Sequence, residues 1–263
     1  MCNEKKKKID YEKCVGCLKC VEDCVNQYII VADAGGVKPQ GKPVFKERGR
    51  CLDCGHCEAI CPQGAISSVD FTEEYTEDDM LHLMAMKRTI RKYIKDDPIK
   101  QYDLERLIYA AQTAPTDRNR RSARLLLVKE KLKEVYNMSL DYLVSEVQKT
   151  GTINPLYTPT MNMAANRDNV LWGAEYLVVF VGNDGMLADS LIAAERMQLE
   201  AEKLGLGTAY RGDIKKAINE VVDIRRLLNM TDRENALVTF ALGKSAVRYY
   251  RPAVKNNRTV EFM

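Results

Sequence analysis

The sequence predicts an α+β protein of two domains, a small cysteine-rich one followed by a larger one that mixes strands and helices. Three observations predict this. All nine cysteines fall within the first 61 of the 263 residues. Residues 71–79, FTEEYTEDD, carry five carboxylates and neither Gly nor Pro, which marks a linker. Beyond it, apolar runs of strand and helix period alternate without a strict βαβ rhythm. The predicted domains are therefore residues 1–70 and 80–263, joined by 71–79.

Composition narrows the class. Hydrophobic residues make up 46% and charged residues 29%, the balance of a soluble globular chain long enough for two cores. A formal charge of +3 argues against nucleic acid or an anionic membrane as partner. No apolar run approaches the ~18 residues of a spanning helix. The start, MCNEKKKKID, has no apolar stretch after its lysines and does not read as a secretory signal. Clustered cysteines point to metal ligation in a reducing compartment rather than to disulfides, so a cytoplasmic location is expected.

Within residues 1–70, Tyr28–Ala32 and Pro43–Phe45 flank a Gly/Pro stretch and read as a hairpin. A helix is expected to start near Thr76, with Asp79 three residues on. Leu104, Leu107, Ile108 and Ala111 then stand at helical spacing after Asp103. Arg124–Lys129 reads as a strand, and Leu132 through Val147 outline a helix over roughly 130–149. The segment 150–170, with Gly151, Pro155 and Pro159, reads as a loop or lid. Tyr176–Val181 is a buried strand, 186–204 a helix closed by Gly205, and Gly207–Arg211 a short strand. Helical turns from Asp213 and a strand over Ala236–Leu242 complete the order.

The strongest chemical signal is a repeated spacing. Cys14, Cys17, Cys20 and Cys24 follow C-x2-C-x2-C-x3-C, and Cys51, Cys54, Cys57 and Cys61 repeat it, with Pro62 directly after. This is the run of bacterial cubane-cluster ferredoxins, in which three thiolates of one loop cap three irons and the fourth cysteine ligates the other cluster. Two 4Fe–4S clusters are expected, one on Cys14, Cys17, Cys20 and Cys61, the other on Cys51, Cys54, Cys57 and Cys24. Zinc knuckles take four ligands in total and do not fit two runs of four. Cys2 reads as a free thiol, and His56 as a neighbour of the cluster rather than a ligand. Residues 1–70 resemble a two-cluster ferredoxin throughout, departing from it at Val25, where a proline often follows the fourth cysteine, and in a long hairpin. Electron transfer is the expected use of such a pair, with a purely structural role as the alternative.

The larger domain has no Walker motif, no G-x-G-x-x-G after a strand and only one histidine, His82. Three elements remain. Lys87-Arg88-Thr89-Ile90-Arg91-Lys92-Tyr93 places four cations around a hydroxyl, suited to a phosphate monoester or to a solvated helix end. Ala114-Pro115-Thr116-Asp117-Arg118-Asn119 ends a helix, and Leu204–Gly212 (LGLGTAYRG) enters a strand. In this order they resemble the nitroreductase family of FMN enzymes: KRTIRKY stands in the place of R-R-S-[IV]-R-x-[FY], APTDRNRRS in that of A-P-S-x-x-N-x-Q-P, and LGLGTAYRG matches L-G-L-G-T closely. The final strand to Gly243 and the tail Arg248-Tyr249-Tyr250-Arg251-Pro252 follow the same pattern.

The resemblance implies an α+β sandwich binding FMN in an intertwined homodimer. Lys87, Arg88, Thr89 and Arg91 would hold the FMN phosphate and ribityl chain, helped by Arg248 and Arg251. Pro115, Thr116 and Asn119 would reach the flavin across the dimer interface, and the backbone around Tyr210, Arg211 and Gly212 would border the reactive ring edge. Asn166 or Arg167 are candidates for the pyrimidine side. Arg121-Ser122 replaces the usual Gln-Pro within a cluster of Arg118, Arg120, Arg121 and Arg124, which suits an anionic substrate or a solvated loop. The expected activity is reduction of a nitroaromatic, quinone or similar conjugated small-molecule acceptor, with electrons delivered through the clusters from an external ferredoxin or flavodoxin. In most relatives NAD(P)H reduces the flavin; here the clusters replace or supplement it. Two alternatives are another flavin reaction, such as reductive dehalogenation or a biosynthetic oxidation, and a non-catalytic electron relay or redox sensor.

Overall fold

The computed structural model describes residues 7–32, 41–46, 51–52, 54–68, 79–150, 170–252 and 259–263. Two compact units emerge, one of Met1–Lys87 with Arg248–Met263, the other of Arg88–Val247. This differs from the expected division at 71–79: the C-terminal tail and the helix before Lys87 belong with the cysteines. The linker itself, Thr76, the hairpin turn 33–40 and the segment 151–169 with Asn166 and Arg167 lie outside the described residues.

The first unit holds two antiparallel strand pairs. β1 (Lys7–Ile9) pairs with β4 (Ile66–Ser68), and β2 (Ile29–Val31) pairs with β3 (Pro43–Phe45), the predicted hairpin. Two short helices, α1 (Lys19–Glu22) and α2 (His56–Ile60), carry cysteines against a small core that includes Ile29, Val44, Ala59, Ile60 and Ile66. α3 (Asp79–Met86) closes with Lys87 donating its N–H to Leu83 O at 3.1 Å.

The second unit is built on a four-stranded antiparallel sheet. Its strands are β5 (Arg124–Val128), β6 (Tyr176–Gly182), β7 (Leu206–Tyr210) and β8 (Asn235–Lys244), in the order β5-β6-β8-β7. β6 and β8 are central, and burial of all seven β6 residues explains their unbroken apolar run. One face presents Tyr176, Val178, Phe180, Phe240, Leu242 and Leu206 to the helices α4 (Gln101–Gln112) and α6 (Leu187–Lys203). α4 forms because Leu104, Leu107 and Ala111 share one stripe, and all three are buried. Strand alternation turns Leu177, Val179, Ala209 and Ala241 to the opposite face, where α5 (Leu132–Thr150) and α7 (Gly212–Glu220) pack; α8 (Val222–Leu227) follows α7.

Candidate functional site

The eight motif cysteines carry no disulfide and separate into two groups. Cys14, Cys17, Cys20 and Cys61 line one small cavity, and Cys24, Cys51, Cys54 and Cys57 line another. The fourth cysteine of each run has therefore crossed to the other run's cavity. The two crossing residues are held alike: Cys24 Sγ accepts the N–H of Tyr28 at 3.2 Å, and Cys61 Sγ that of Ala65 at 3.3 Å. Both bonds span four residues, the mark of the repeated spacing. Such N–H donors favour an anionic sulfur. Against that, burial and repulsion from Cys61, Cys17 and Cys14 push the Cys20 thiol up to about 12, and burial raises Cys57 too. A bound cationic centre would favour the thiolate form at these two positions. Four thiols per cavity fit an iron–sulfur cluster, and His56 lines the second cavity beside its four cysteines. Among the described residues no group of three His, Cys, Asp or Glu could hold a single metal ion. His56 Nδ1 is engaged instead with Tyr249 Oη at 3.1 Å and Asp23 Oδ2 at 3.3 Å.

In the second unit the basic segment is fixed by two glycines. Gly207 of β7 and Gly243 of β8 are direct cross-strand partners, so a patch of the second sheet face has no side chains. The chain 89–94 crosses this patch. Ile90 N–H bonds to Thr208 O at 2.9 Å, Thr89 bridges to Thr208, and Ile94 N–H reaches Lys244 O at 3.0 Å. A Cβ on Gly207 would stand 2.6 Å from Ile90 Cβ, and one on Gly243 2.9 Å from Tyr93 Cδ1. The Ile and Tyr of the motif thus occupy the space that the glycines leave. Tyr93 Oη donates to Ile90 O at 2.8 Å, curling the segment, and burial holds its pKa well above the usual phenol range. Arg88 is buried, while Thr89 and Arg91 are half-buried beside it.

The strand β7 delivers Tyr210, Arg211 and Gly212 to the start of α7. Arg211 is 2% exposed and forks onto Asp213, with Nε to Oδ1 at 2.9 Å and Nη2 to Oδ2 at 2.7 Å. Its guanidinium also lies 4.6 Å over the Trp172 ring. Arg211 N–H donates to Thr239 O, and its own carbonyl accepts from Thr239 Oγ1 and Lys215 N. The Arg211 side chain and backbone thus serve the fold. The N–H groups of the first turn of α7, beginning with the exposed Gly212, are the ones that point out of the helix. Tyr210 is 47% exposed and meets Phe240 edge-on at 6.1 Å.

Pro115, Thr116 and Asn119 lie before β5, at the sheet edge opposite β7. The structure does not bring them together with Thr89 in one chain. Their loop is tied down by Asp117 N–H on Asp189 Oδ2 at 3.1 Å and by Arg121 N–H on Thr116 Oγ1 at 3.1 Å. It roofs a cavity of about 530 Å³ between α4, α6 and the sheet, lined by Thr116, Arg121 and Ser122 above Ile108, Phe180 and Ser190. Ser190 Oγ is buried there without a hydrogen-bond partner among the described residues. Nothing in the sequence singled out this serine, which stands in an ordinary helical turn. Of the arginine cluster, Arg124 forks onto Glu234 at 2.7 and 3.0 Å, whereas Arg118, Arg120 and Arg121 are exposed.

Arg248 and Arg251, expected to help Lys87, Arg88, Thr89 and Arg91 hold the FMN phosphate, fall in the cysteine-bearing unit. Arg251 Nη1 donates to Glu58 O at 2.8 Å and Cys61 O at 2.7 Å, and Arg248 lies 5.6 Å over the Tyr250 ring. The guanidinium of Arg251 is directed at the end of α2.

Comparison with known proteins places both halves. Residues 84–244 match the nitroreductase family, and residues 8–74 match the 4Fe-4S dicluster domain. An NADPH-dependent oxidoreductase of Staphylococcus epidermidis is 26% identical over 179 residues, spanning 64% of this chain and 65% of that relative. Among solved structures, a nitroreductase with bound FMN from Desulfitobacterium hafniense aligns with a TM-score of 0.56 at 20% identity, covering 71% of this chain and 98% of the other. A nitroreductase with bound FMN from Bacteroides fragilis aligns at 0.52 and 17%, covering 70% and 95%. These structural likenesses establish the fold of the second unit. Among the described residues no helix is long and apolar enough to cross a membrane. With the motif glycines meeting the motif Ile and Tyr in space, and the family match spanning more than half of the sequence, the chain belongs to the nitroreductase family and carries a 4Fe-4S dicluster domain ahead of it.

Proposed function

We propose that this chain is an FMN-dependent oxidoreductase that draws electrons through two 4Fe–4S clusters and reduces a nitroaromatic, quinone or similar conjugated acceptor. The observation that carries the reading is the crossing of Cys24 and Cys61, which gives each cavity four thiols, the number a 4Fe–4S cluster takes. When bound, the clusters supply single electrons and FMN supplies two-electron reduction of an organic acceptor. The chain's own residues would bind and orient. Lys87, Arg88, Thr89 and Arg91 would hold the FMN phosphate, a role supported by the docking of 89–94 on Gly207 and Gly243. Forked guanidinium donors suit a phosphate monoester, and Arg88 stays charged even where it is buried. The first-turn N–H groups of α7, from Gly212 onward, would donate to the flavin ring edge.

Pro115, Thr116 and Asn119 would act on the flavin of a second copy. Their place at the far sheet edge supports this, as do Leu187, Leu191 and Ile192, which are exposed on α6 and available to a homodimer. The electron donor is read as an external ferredoxin or flavodoxin, with NAD(P)H as a second route, and the location as cytoplasmic. The test is anaerobic purification with iron, sulfide and FMN measured per chain, followed by stopped-flow absorbance after reduced ferredoxin or NAD(P)H. About eight irons, stoichiometric FMN and iron–sulfur absorbance decaying before flavin absorbance support the reading. Flavin reduction by NAD(P)H with the iron–sulfur absorbance unchanged would refute the proposed order.

A further inference from the structure

Among the described residues the C-terminal tail bonds to α2, to Cys61 and to Asp23, all close in sequence to the motif cysteines. α2 has five residues, so its last carbonyls have no partner within the helix. The tail supplies them. Tyr250 N–H donates to Ala59 O at 2.8 Å, and Arg251 Nη1 donates to Glu58 O at 2.8 Å and Cys61 O at 2.7 Å. A guanidinium at a helix C-terminus is also the favourable sign of charge. At the other end of α2, Tyr249 Oη lies 3.1 Å from His56 Nδ1, and 3.1 and 3.3 Å from the Asp23 carboxylate oxygens. The rings of Tyr249 and His56 meet edge-on at 5.4 Å. Asp23 precedes Cys24, and His56 precedes Cys57, so Tyr249 ties the two runs together at the cavity of Cys24, Cys51, Cys54 and Cys57. Arg251 instead holds the carbonyl of Cys61, the crossing residue of the other cavity. The turn after Cys61 leaves room for it: a Cβ at Gly64 would stand 3.3 Å from Arg251 Nη2.

We propose that Tyr249–Arg251 form a strap belonging to the cluster domain, in which Arg251 is a positioning residue that orients Cys61 and favours reduction of the cluster on Cys14, Cys17, Cys20 and Cys61. The inference rests on reading the two thiol sets as cluster sites. Its physical basis is that a guanidinium never loses its charge in a protein. The reduced cluster is one charge more negative than the oxidised one, so a fixed cation beside one of its ligands stabilises the reduced form. On this proposal Arg251, engaged with the carbonyls of Glu58 and Cys61, serves the cluster rather than the flavin phosphate.

The test uses the full-length protein, purified anaerobically, as wild type, R251Q and R251K. Iron and FMN per chain are measured together with an EPR-monitored redox titration. Absence of any 4Fe–4S signal in the wild type overturns the underlying cluster reading. If the wild type carries both clusters, R251Q is expected to keep its FMN and to lower the midpoint potential of one cluster only, with R251K lying between. Unchanged potentials at full iron content overturn the strap, as does loss of FMN with the clusters intact. Should R251Q lose iron, R251K decides. Recovery of the lost iron, with one EPR signal alone shifted, supports the proposal. Equal damage to both signals, or full recovery with none shifted, overturns it.

Discussion

The contact between Gly207 and Ile90 allows a quantitative experiment with G207A. The added methyl would stand 2.6 Å from both Ile90 Cβ and Cγ2. Because Cβ is fixed to the backbone, no side-chain rotation at Ile90 relieves the clash, and the backbone of the segment has to lift. Overpacking of this kind costs about 1–3 kcal/mol. Lifting the segment also breaks the 2.9 Å bond from Ile90 N–H to Thr208 O, worth about 0.5–1.5 kcal/mol. The docked conformation of 88–93 should therefore lose about 1.5–4.5 kcal/mol. If FMN requires that conformation, its affinity falls by at least about 10-fold. The assay is titration of flavin-free protein with FMN, followed by fluorescence quenching, alongside urea denaturation. G205A is the control. A Cβ at Gly205 meets nothing within 4 Å, yet its φ is +71°. That variant should lose about 1–2 kcal/mol of stability and keep its FMN affinity. Wild-type FMN binding by G207A would refute the view that the glycine patch docks the phosphate segment.

Three further outcomes are expected. D213N leaves the Arg211 guanidinium buried without its counter-charge, at 3% side-chain exposure, and should cost about 3–5 kcal/mol in urea denaturation. Glu234 is held down to about 2, from an ordinary 4.5, first by its hydrogen bonds from Arg124. Its contribution is thus complete above pH 4.5 and is lost as pH falls towards 2, so E234Q should flatten the acid limb of stability over that window. At neutral pH the same variant should cost no more than about 1 kcal/mol, because Arg124 is partly solvated. Finally, C61S and C17S should abolish the same EPR signal and C24S the other. Grouping of C61S with C54S would refute the crossed arrangement.

Legibility followed the range of the interaction. The hairpin of β2 and β3, the stripe of α4 and the end of α6 at Gly205 were readable because each is set by residues a few positions apart. The crossing of the cysteines was readable too, since the repeated spacing carries it. The glycine patch was half legible: both glycines and the basic segment stood in the sequence, but nothing there says that Ile90 rests on Gly207 across more than a hundred residues. The same holds for Arg211, whose basic side chain is consumed by Asp213 two positions on and by Trp172. The contacts of the tail were not legible for a physical reason: nothing in a basic, proline-containing terminus says that Arg251 meets the carbonyls of Glu58 and Cys61, about 190 residues earlier.

The tail also bears on the order in which this chain can be completed. Its bonds to His56 and Glu58 each span 193 residues, and those to Asp23 span 226. Contacts at such separations form late and are slow to find, and during synthesis the cysteine motifs leave the ribosome long before residues 249–251 exist. The N-terminal unit therefore waits, with the last carbonyls of α2 open to water, until the entire sheet-bearing unit has been made. Truncation after Val247 would look like the trimming of a terminus and would in fact remove an internal part of the first domain.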